Sequence, residues 1–112
     1  MIRLFASDMD GTILQDHSTI HPDNIKMVHY LQEKNIPFVI CSGRDFYQAS
    51  LCLEPANIQC PVIGLNGAVI YKEDGTILKE VTLSHEDTRE LIQKIEKHHN
   101  NWDIMTSKGL FS

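Results

Sequence analysis

Residues 2–12 read Ile-Arg-Leu-Phe-Ala-Ser-Asp-Met-Asp-Gly-Thr, a short apolar run followed directly by two aspartates and a glycine. An apolar run of this length that ends at polar residues is typical of a buried β-strand, so we predict one over residues 2–7. Asp8 and Asp10 then lie just past its carboxyl end. Because two carboxylates this close repel each other, the pair favours a bound cation.

Further short apolar runs follow, separated by segments with helical patterning. We predict strands over residues 38–41, 61–64 and 68–71, and helices from Pro22 to about Asn35 and over residues 45–53. Strands that alternate with helices give an α/β fold with a parallel sheet covered by helices. Ligands bind such sheets beyond the carboxyl ends of the strands. Three polar loops are therefore predicted to meet at one edge: 8–12, 42–44 and 65–67.

The last third of the chain has different signals. Glu73-Asp74-Gly75 predicts a hairpin turn, after which residues 76–83 return antiparallel to residues 68–72. Ser84, with Asp87 three residues later, resembles a capping box for a helix over residues 85–98. A final strand is predicted over residues 102–106.

Composition excludes several classes of protein. The 112 residues include 10 basic and 15 acidic side chains, for a formal charge of −5, which argues against a nucleic-acid-binding protein. No apolar run approaches the roughly 20 residues that cross a bilayer, and Asp8 and Asp10 interrupt any signal peptide. Three widely spaced cysteines form no disulfide framework or zinc ribbon. We therefore expect a protein of the cytoplasm with no membrane partner.

The segment Asp8-Met9-Asp10-Gly11-Thr12 carries the chemistry. Carboxylates suit Mg²⁺, and Gly11 permits a tight reversal that points backbone N–H groups into the site. A carboxylate can attack phosphorus to form an aspartyl-phosphate, while a second carboxylate moves the proton of the leaving group. The alternative is a solvated turn that caps a helix. A calcium-binding EF-hand loop is excluded, because its spacing would put Ala6 and His17 at ligand positions.

This segment resembles the first motif of the haloacid dehalogenase superfamily, most closely its Cof-type phosphatase branch. Ser42-Gly43-Arg44 is similar to the second motif of that branch, where Thr-Gly-Arg is commoner, and residues 66–70 resemble its Asn-Gly-Ala segment. The resemblance covers essentially the whole chain, in family order. It implies a Rossmann-like three-layer core, represented by residues 1–83, and the truncated start of an α/β cap over residues 84–112. It also implies hydrolysis of a small phosphorylated metabolite with Mg²⁺ as cofactor.

The resemblance also implies roles for the residues of the first motif. Asp8 would be the nucleophile that takes the phosphoryl group, and would also bind Mg²⁺. Asp10 would be the general acid and then the base for water attack, and would bind the metal through its backbone carbonyl. Thr12 would orient Asp10.

The residues of the other two motifs would contact phosphate or substrate. Ser42, with the backbone of Gly43, would hold the transferring phosphate, and Arg44 and Asn66 would contact the substrate or its phosphate. Each has a simpler alternative. Ser42 at a strand-to-helix junction is often only a helix cap, Arg44 often forms a surface ion pair, and Asn66-Gly67 is often only a turn.

The sequence also departs from the family pattern. Members of this branch complete their site with a lysine from a later strand and an acidic Gly-Asp-x-x-Asn-Asp type motif, and neither is present. Strands that would flank the first strand are also missing, which predicts an exposed sheet edge. The alternative is therefore a non-catalytic, truncated chain that associates with itself or a partner. A phospho-acceptor signalling domain is disfavoured, because no aspartate follows the strand at residues 62–64.

Overall fold

A computed structural model describes residues 1–112 and shows a five-stranded mixed sheet. The strands lie in chain order across the sheet. The first three run parallel, and the last two are antiparallel to their neighbours. The strands are β1 (Phe5–Asp8), β2 (Phe38–Cys41), β3 (Val62–Gly64), β4 (Val69–Tyr71) and β5 (Ile77–Glu80). The predicted α/β class is confirmed.

Two helices connect the parallel strands, and local signals explain where each begins. Helix α1 (Pro22–Glu33) starts with proline at its first position, and the His21 side chain accepts a hydrogen bond from the Asp23 N–H. It ends before Asn35, which has a φ of 55°. Helix α2 (Phe46–Leu53) starts at a capping box, in which Asp45 and Gln48 bind each other's backbone N–H.

One hydrophobic core joins the sheet to both helices. Phe38 and Ile40 of β2 point to the same face as Val62 of β3 and are buried there. Both crossovers step in the same direction along the sheet, which puts their helices on the same face. The core residues on the helices are Val28, Leu31, Ala49, Cys52 and Leu53.

The first strand differs from its prediction. We expected a buried strand over residues 2–7, but β1 is Phe5–Asp8 and its residues are only half-buried or exposed. Ile2 and Leu4, which precede it, are 60% and 56% exposed. The reason is the topology, because β1 is the edge strand and pairs with β2 alone. The predicted exposed edge is therefore present.

The chain divides into two compact units, Met1–Val81 and Thr82–Ser112. The second unit contains helix α3 (His85–Lys97), capped by the Ser84 side chain, and an antiparallel pair, β6 (Ile104–Thr106) and β7 (Gly109–Phe111). The sequence did not predict β7, because its tight turn depends on a positive φ of 117° at Gly109 and lacks an Asn-Gly or Asp-Gly signal. No helix in the structure has the length and apolar character required to cross a membrane.

Candidate active site

The register of the parallel strands brings their carboxyl ends to one edge of the sheet. Asp8 is opposite Cys41, and Cys41 is opposite Ile63. The three loops that the sequence singled out therefore start at the same level. Two of them are joined directly, because the Asn66 N–H donates to the Ser42 carbonyl (3.1 Å) and the Leu65 N–H donates to the Arg44 carbonyl (3.1 Å).

The loop after β1 is anchored by Met9, whose side chain is fully buried between the two exposed aspartates. The Met9 N–H donates to Oδ1 of Asp8 (2.7 Å), and the Met9 carbonyl accepts from the Leu14 N–H (3.1 Å). Gly11 has a φ of 74°, which favours glycine at the reversal. The buried methionine therefore fixes where the carboxylates of Asp8 and Asp10 emerge.

The loop after β2 holds Ser42 in a buried position. Its N–H donates to the Ile63 carbonyl (2.9 Å), and its hydroxyl accepts a hydrogen bond from the Arg44 N–H (3.2 Å). Ser42 does not cap α2, because Asp45 has that position. The hydroxyl instead shapes the loop itself.

The loop after β3 has an unusual backbone. Leu65, Asn66 and Gly67 all have positive φ values, of 50°, 55° and 94°. This conformation is unfavourable for a residue such as leucine, and such strain is concentrated at functional sites in proteins. The result is that the Asn66 amide packs over Gly43, where an added Cβ would lie 3.2 Å from its Oδ1.

A cavity of about 380 Å³ opens between these loops. It brings together four of the predicted site residues, and the lining is Asp8, Cys41, Ser42, Gly43, Ile63, Asn66 and Gly67. Sequence reasoning missed Ile63, although its alternation with the buried Val62 signals a residue on the other face of β3. Cys41, the last residue of β2, also lines the cavity and is half-buried.

Asp10 and Arg44 do not line this cavity and bind each other instead. Arg44 Nη2 lies 2.6 Å from Asp10 Oδ1, and Arg44 Nε lies 2.9 Å from Asp10 Oδ2. These hydrogen bonds hold the pKa of the Asp10 carboxyl below its usual value, and the same pair raises the pKa of the Arg44 guanidinium. The ion pair named as the simpler alternative for Arg44 is present in the structure.

The Thr12 hydroxyl, which is predicted to orient Asp10, donates its hydrogen bond to Asp8 in the structure. The Thr12 hydroxyl lies 3.5 Å from Oδ2 of Asp8, at the outer limit of a hydrogen bond. Arg44 binds both oxygens of the Asp10 carboxylate, and Thr12 lies beside the first aspartate.

The donors at this edge are hard oxygen atoms, which fit Mg²⁺. The structure contains no group of three or more His, Cys, Asp or Glu side chains that could hold a metal. Mg²⁺ does not need one, because it keeps several waters and is usually bound by one or two carboxylates. Oδ1 of Asp8 accepts the short bond from Met9, whereas its Oδ2 has only the long Thr12 contact and is the oxygen available to a cation.

The sequence profile of haloacid dehalogenase-like hydrolases matches residues 5–112. The chain belongs to this family. It is similar to the phosphatase YwpJ of Bacillus subtilis, at 24% identity over 99% of this chain and 39% of the relative. It is also similar to the 5-amino-6-(5-phospho-D-ribitylamino)uracil phosphatase YcsE of the same organism, at 29% identity over 88% of this chain and 39% of the relative.

Solved structures of the family share the fold. A haloacid dehalogenase-like hydrolase from B. subtilis superposes with a TM-score of 0.89 at 24% identity, over 98% of this chain and 39% of that one. This member of the haloacid dehalogenase-like family therefore spans about two-fifths of the length of the curated relatives it matches.

Proposed function

We propose that this chain forms the nucleophile and phosphate-binding part of a Mg²⁺-dependent phosphatase that works through an aspartyl-phosphate on Asp8. One observation carries the proposal: Asp8 lines the same cavity as Ser42, Gly43 and Asn66. A nucleophile and phosphate-binding groups that share one hollow are what phosphoryl transfer requires, since it depends mainly on positioning and electrostatics.

In the proposed reaction, a carboxylate oxygen of Asp8 attacks the phosphorus of a phosphate monoester. The bond from phosphorus to the leaving oxygen breaks, and that oxygen takes a proton from Asp10, which must be protonated at this step although its ion pair with Arg44 favours the ionised carboxylate. In the second half, Asp10 takes a proton from water as the water oxygen attacks the same phosphorus. The bond from phosphorus to Asp8 then breaks and releases inorganic phosphate.

The remaining residues hold the phosphate and the cofactor. Ser42 and the backbone of Gly43 would bind the transferring phosphoryl oxygens, with the Asn66 amide beside them. The Asp8 carboxylate and the Asp10 backbone carbonyl would hold Mg²⁺, which supplies positive charge that offsets the charge of phosphate and carboxylate.

The proposed substrate class is a small phosphorylated metabolite. One relative, from Thermoplasma acidophilum, is named a phosphoglycolate phosphatase, and another is named for a phosphoribitylamino-uracil. These names share a phosphate monoester on a small molecule and differ elsewhere, so only that class is transferred to this chain. The net charge of −5 disfavours nucleic acid as a partner, and a reducing cytoplasm remains the expected compartment.

The direct test is hydrolysis of p-nitrophenyl phosphate with and without Mg²⁺. We expect Mg²⁺-dependent turnover by the wild-type chain and none by Asp8→Asn. Asp103→Asn is a matched control, because it removes the same charge from an exposed position in the second unit. Equal turnover by the wild type and Asp8→Asn would remove the assignment of Asp8.

A second candidate function is self-association through the free edge of β1, favoured by the exposure of Ile2 and Leu4 beside it. An unpaired edge with apolar neighbours is a template for another strand. Sedimentation velocity should then show a dimer that Leu4→Lys converts to a monomer. A wild-type chain that stays monomeric at high micromolar concentration would exclude this candidate.

A further inference from the structure

The guanidinium of Arg44 uses most of its hydrogen-bonding capacity inside the protein. Besides its two bonds to Asp10, Nη2 donates to the His17 carbonyl (2.7 Å) and Nη1 donates to the Cys52 sulfur (3.3 Å). An arginine has five N–H donors, so these contacts leave one on Nη1.

These contacts join three segments that are distant in sequence. Asp10 lies in the loop after β1, His17 lies in the turn between Leu14 and Ile20, and Cys52 is buried in α2. The turn has its own bonds, because one carboxylate oxygen of Asp16 accepts from the backbone N–H groups of both Ser18 and Thr19. The Arg44 side chain therefore connects the 14–20 turn and Asp10 to helix α2.

Arg44 also lies outside the cavity that its neighbours line. Ser42 and Gly43 contribute to the cavity, whereas Arg44 does not line it and its side chain is only 22% exposed. An arginine that binds phosphate needs free, convergent N–H groups that face the anion. A single remaining N–H on a residue that does not line the cavity does not meet that requirement.

We propose that Arg44 is a positioning residue, which fixes the Asp10 carboxylate and the 14–20 turn against α2, and does not bind the phosphate. This inference rests on the proposed function and changes the role that the family resemblance implies for Arg44. The planar guanidinium of Arg44 is essential to this positioning role, because a lysine ammonium keeps the charge but cannot bind both Asp10 oxygens, His17 and Cys52 together.

The test separates positioning from phosphate binding with Arg44→Lys and Arg44→Gln. Calorimetric titration with inorganic phosphate in Mg²⁺ should give a Kd within about twofold of wild type for both variants, whereas loss of an arginine ligand would weaken binding by about tenfold or more. With p-nitrophenyl phosphate, kcat should fall by about tenfold or more while KM stays within about twofold. Arg44→Lys should not restore kcat.

Amide hydrogen exchange provides a readout that does not depend on activity. The N–H groups of Gln15, Ser18 and Thr19, which are bonded within the turn, should exchange about tenfold faster in both variants, while β2 exchanges as in the wild type. Unchanged exchange in the turn, or a large loss of phosphate affinity, would overturn the inference. Ser42→Ala distinguishes failure of this inference from failure of the proposed function. If the proposed function is wrong, Ser42→Ala will bind phosphate as tightly as the wild type does.

Discussion

Gly64→Ala should separate the loops that follow β2 and β3, two of the three loops around the cavity. Gly64 ends β3 with a φ of −102°, which any residue can adopt, so conformational freedom does not explain the glycine. Lack of room for a side chain explains the glycine, because an added Cβ would lie 2.7 Å from the Arg44 carbonyl oxygen and 3.0 Å from Cε2 of Tyr71. Ordinary contacts are about 3.5 Å, so the loop must move by roughly 0.5–1 Å.

The loss in the free energy of unfolding can be estimated from these contacts. Overpacking of a filled site costs about 1–3 kcal/mol. The movement also threatens the adjacent hydrogen bond from the Leu65 N–H to the Arg44 carbonyl, worth about 1 kcal/mol net. We expect urea unfolding to show a loss of about 2–3 kcal/mol in the free energy of unfolding, and calorimetry to show weaker phosphate binding.

A matched control is Gly75→Ala, in the hairpin between β4 and β5. Its added Cβ would lie 2.8 Å from the Phe46 ring, and its φ of 85° is unfavourable for alanine, so the variant should lose about 1–2 kcal/mol of stability. Gly75 does not line the cavity, so phosphate affinity should not change. A Gly64→Ala protein as stable as the wild type, with unchanged phosphate affinity, would refute the reasoning.

Three further predictions concern stability and exposure. Ile40→Ala, at a fully buried position of β2, should lower the free energy of unfolding by about 2–5 kcal/mol in urea; a loss below 1 kcal/mol would contradict the described core. Burial raises the pKa of the Cys60 thiol from 9.0 to about 11. As the pH rises, the thiol therefore loses its proton in the unfolded chain before it does so in the folded protein. The free energy of unfolding should fall by about 2–3 kcal/mol between pH 9 and 11, and Cys60→Val should reduce this fall. Amides of α3, which has no buried residue and leaves Leu91 47% exposed, should exchange faster than those of β2; equal protection would contradict this.

Local signals predicted much of the fold because the structure uses them locally. The strand at Phe38–Cys41 has the predicted bounds. Proline at residue 22 starts α1, and Asn35 follows its end with a positive φ. The Asp74-Gly75 turn joins two antiparallel strands as predicted. In each case, the deciding interactions lie within a few residues of the signal.

Predictions that depended on distant parts of the chain were less accurate. The apolar pattern before Asp8 indicated a buried strand, but burial depends on which strand lies on the far side, and β1 has none. The partner of Asp10 lies 34 residues away in Arg44, and no local spacing identifies it. Thr12, which was predicted to orient Asp10, has its hydroxyl beside Asp8.

The placement of the cavity, by contrast, followed from one general rule about sheets. Parallel strands end at the same edge, so polar residues after successive strands meet there. The rule predicted that Asp8, Ser42 and Asn66 lie close together, and all three line the cavity. It could not predict the strained backbone at Leu65, because this depends on how β3 ends rather than on where it lies.

The most direct test of the account is whether Asp8 accepts a phosphoryl-like group in the presence of Mg²⁺. Beryllofluoride mimics a phosphoryl group on a carboxylate, and its bound fluorine nuclei are visible by ¹⁹F NMR. We expect bound resonances for the wild-type chain that require Mg²⁺, remain in Asp103→Asn and disappear in Asp8→Asn. The same bound resonances in Asp8→Asn, or none in the wild type with Mg²⁺ present, would contradict it.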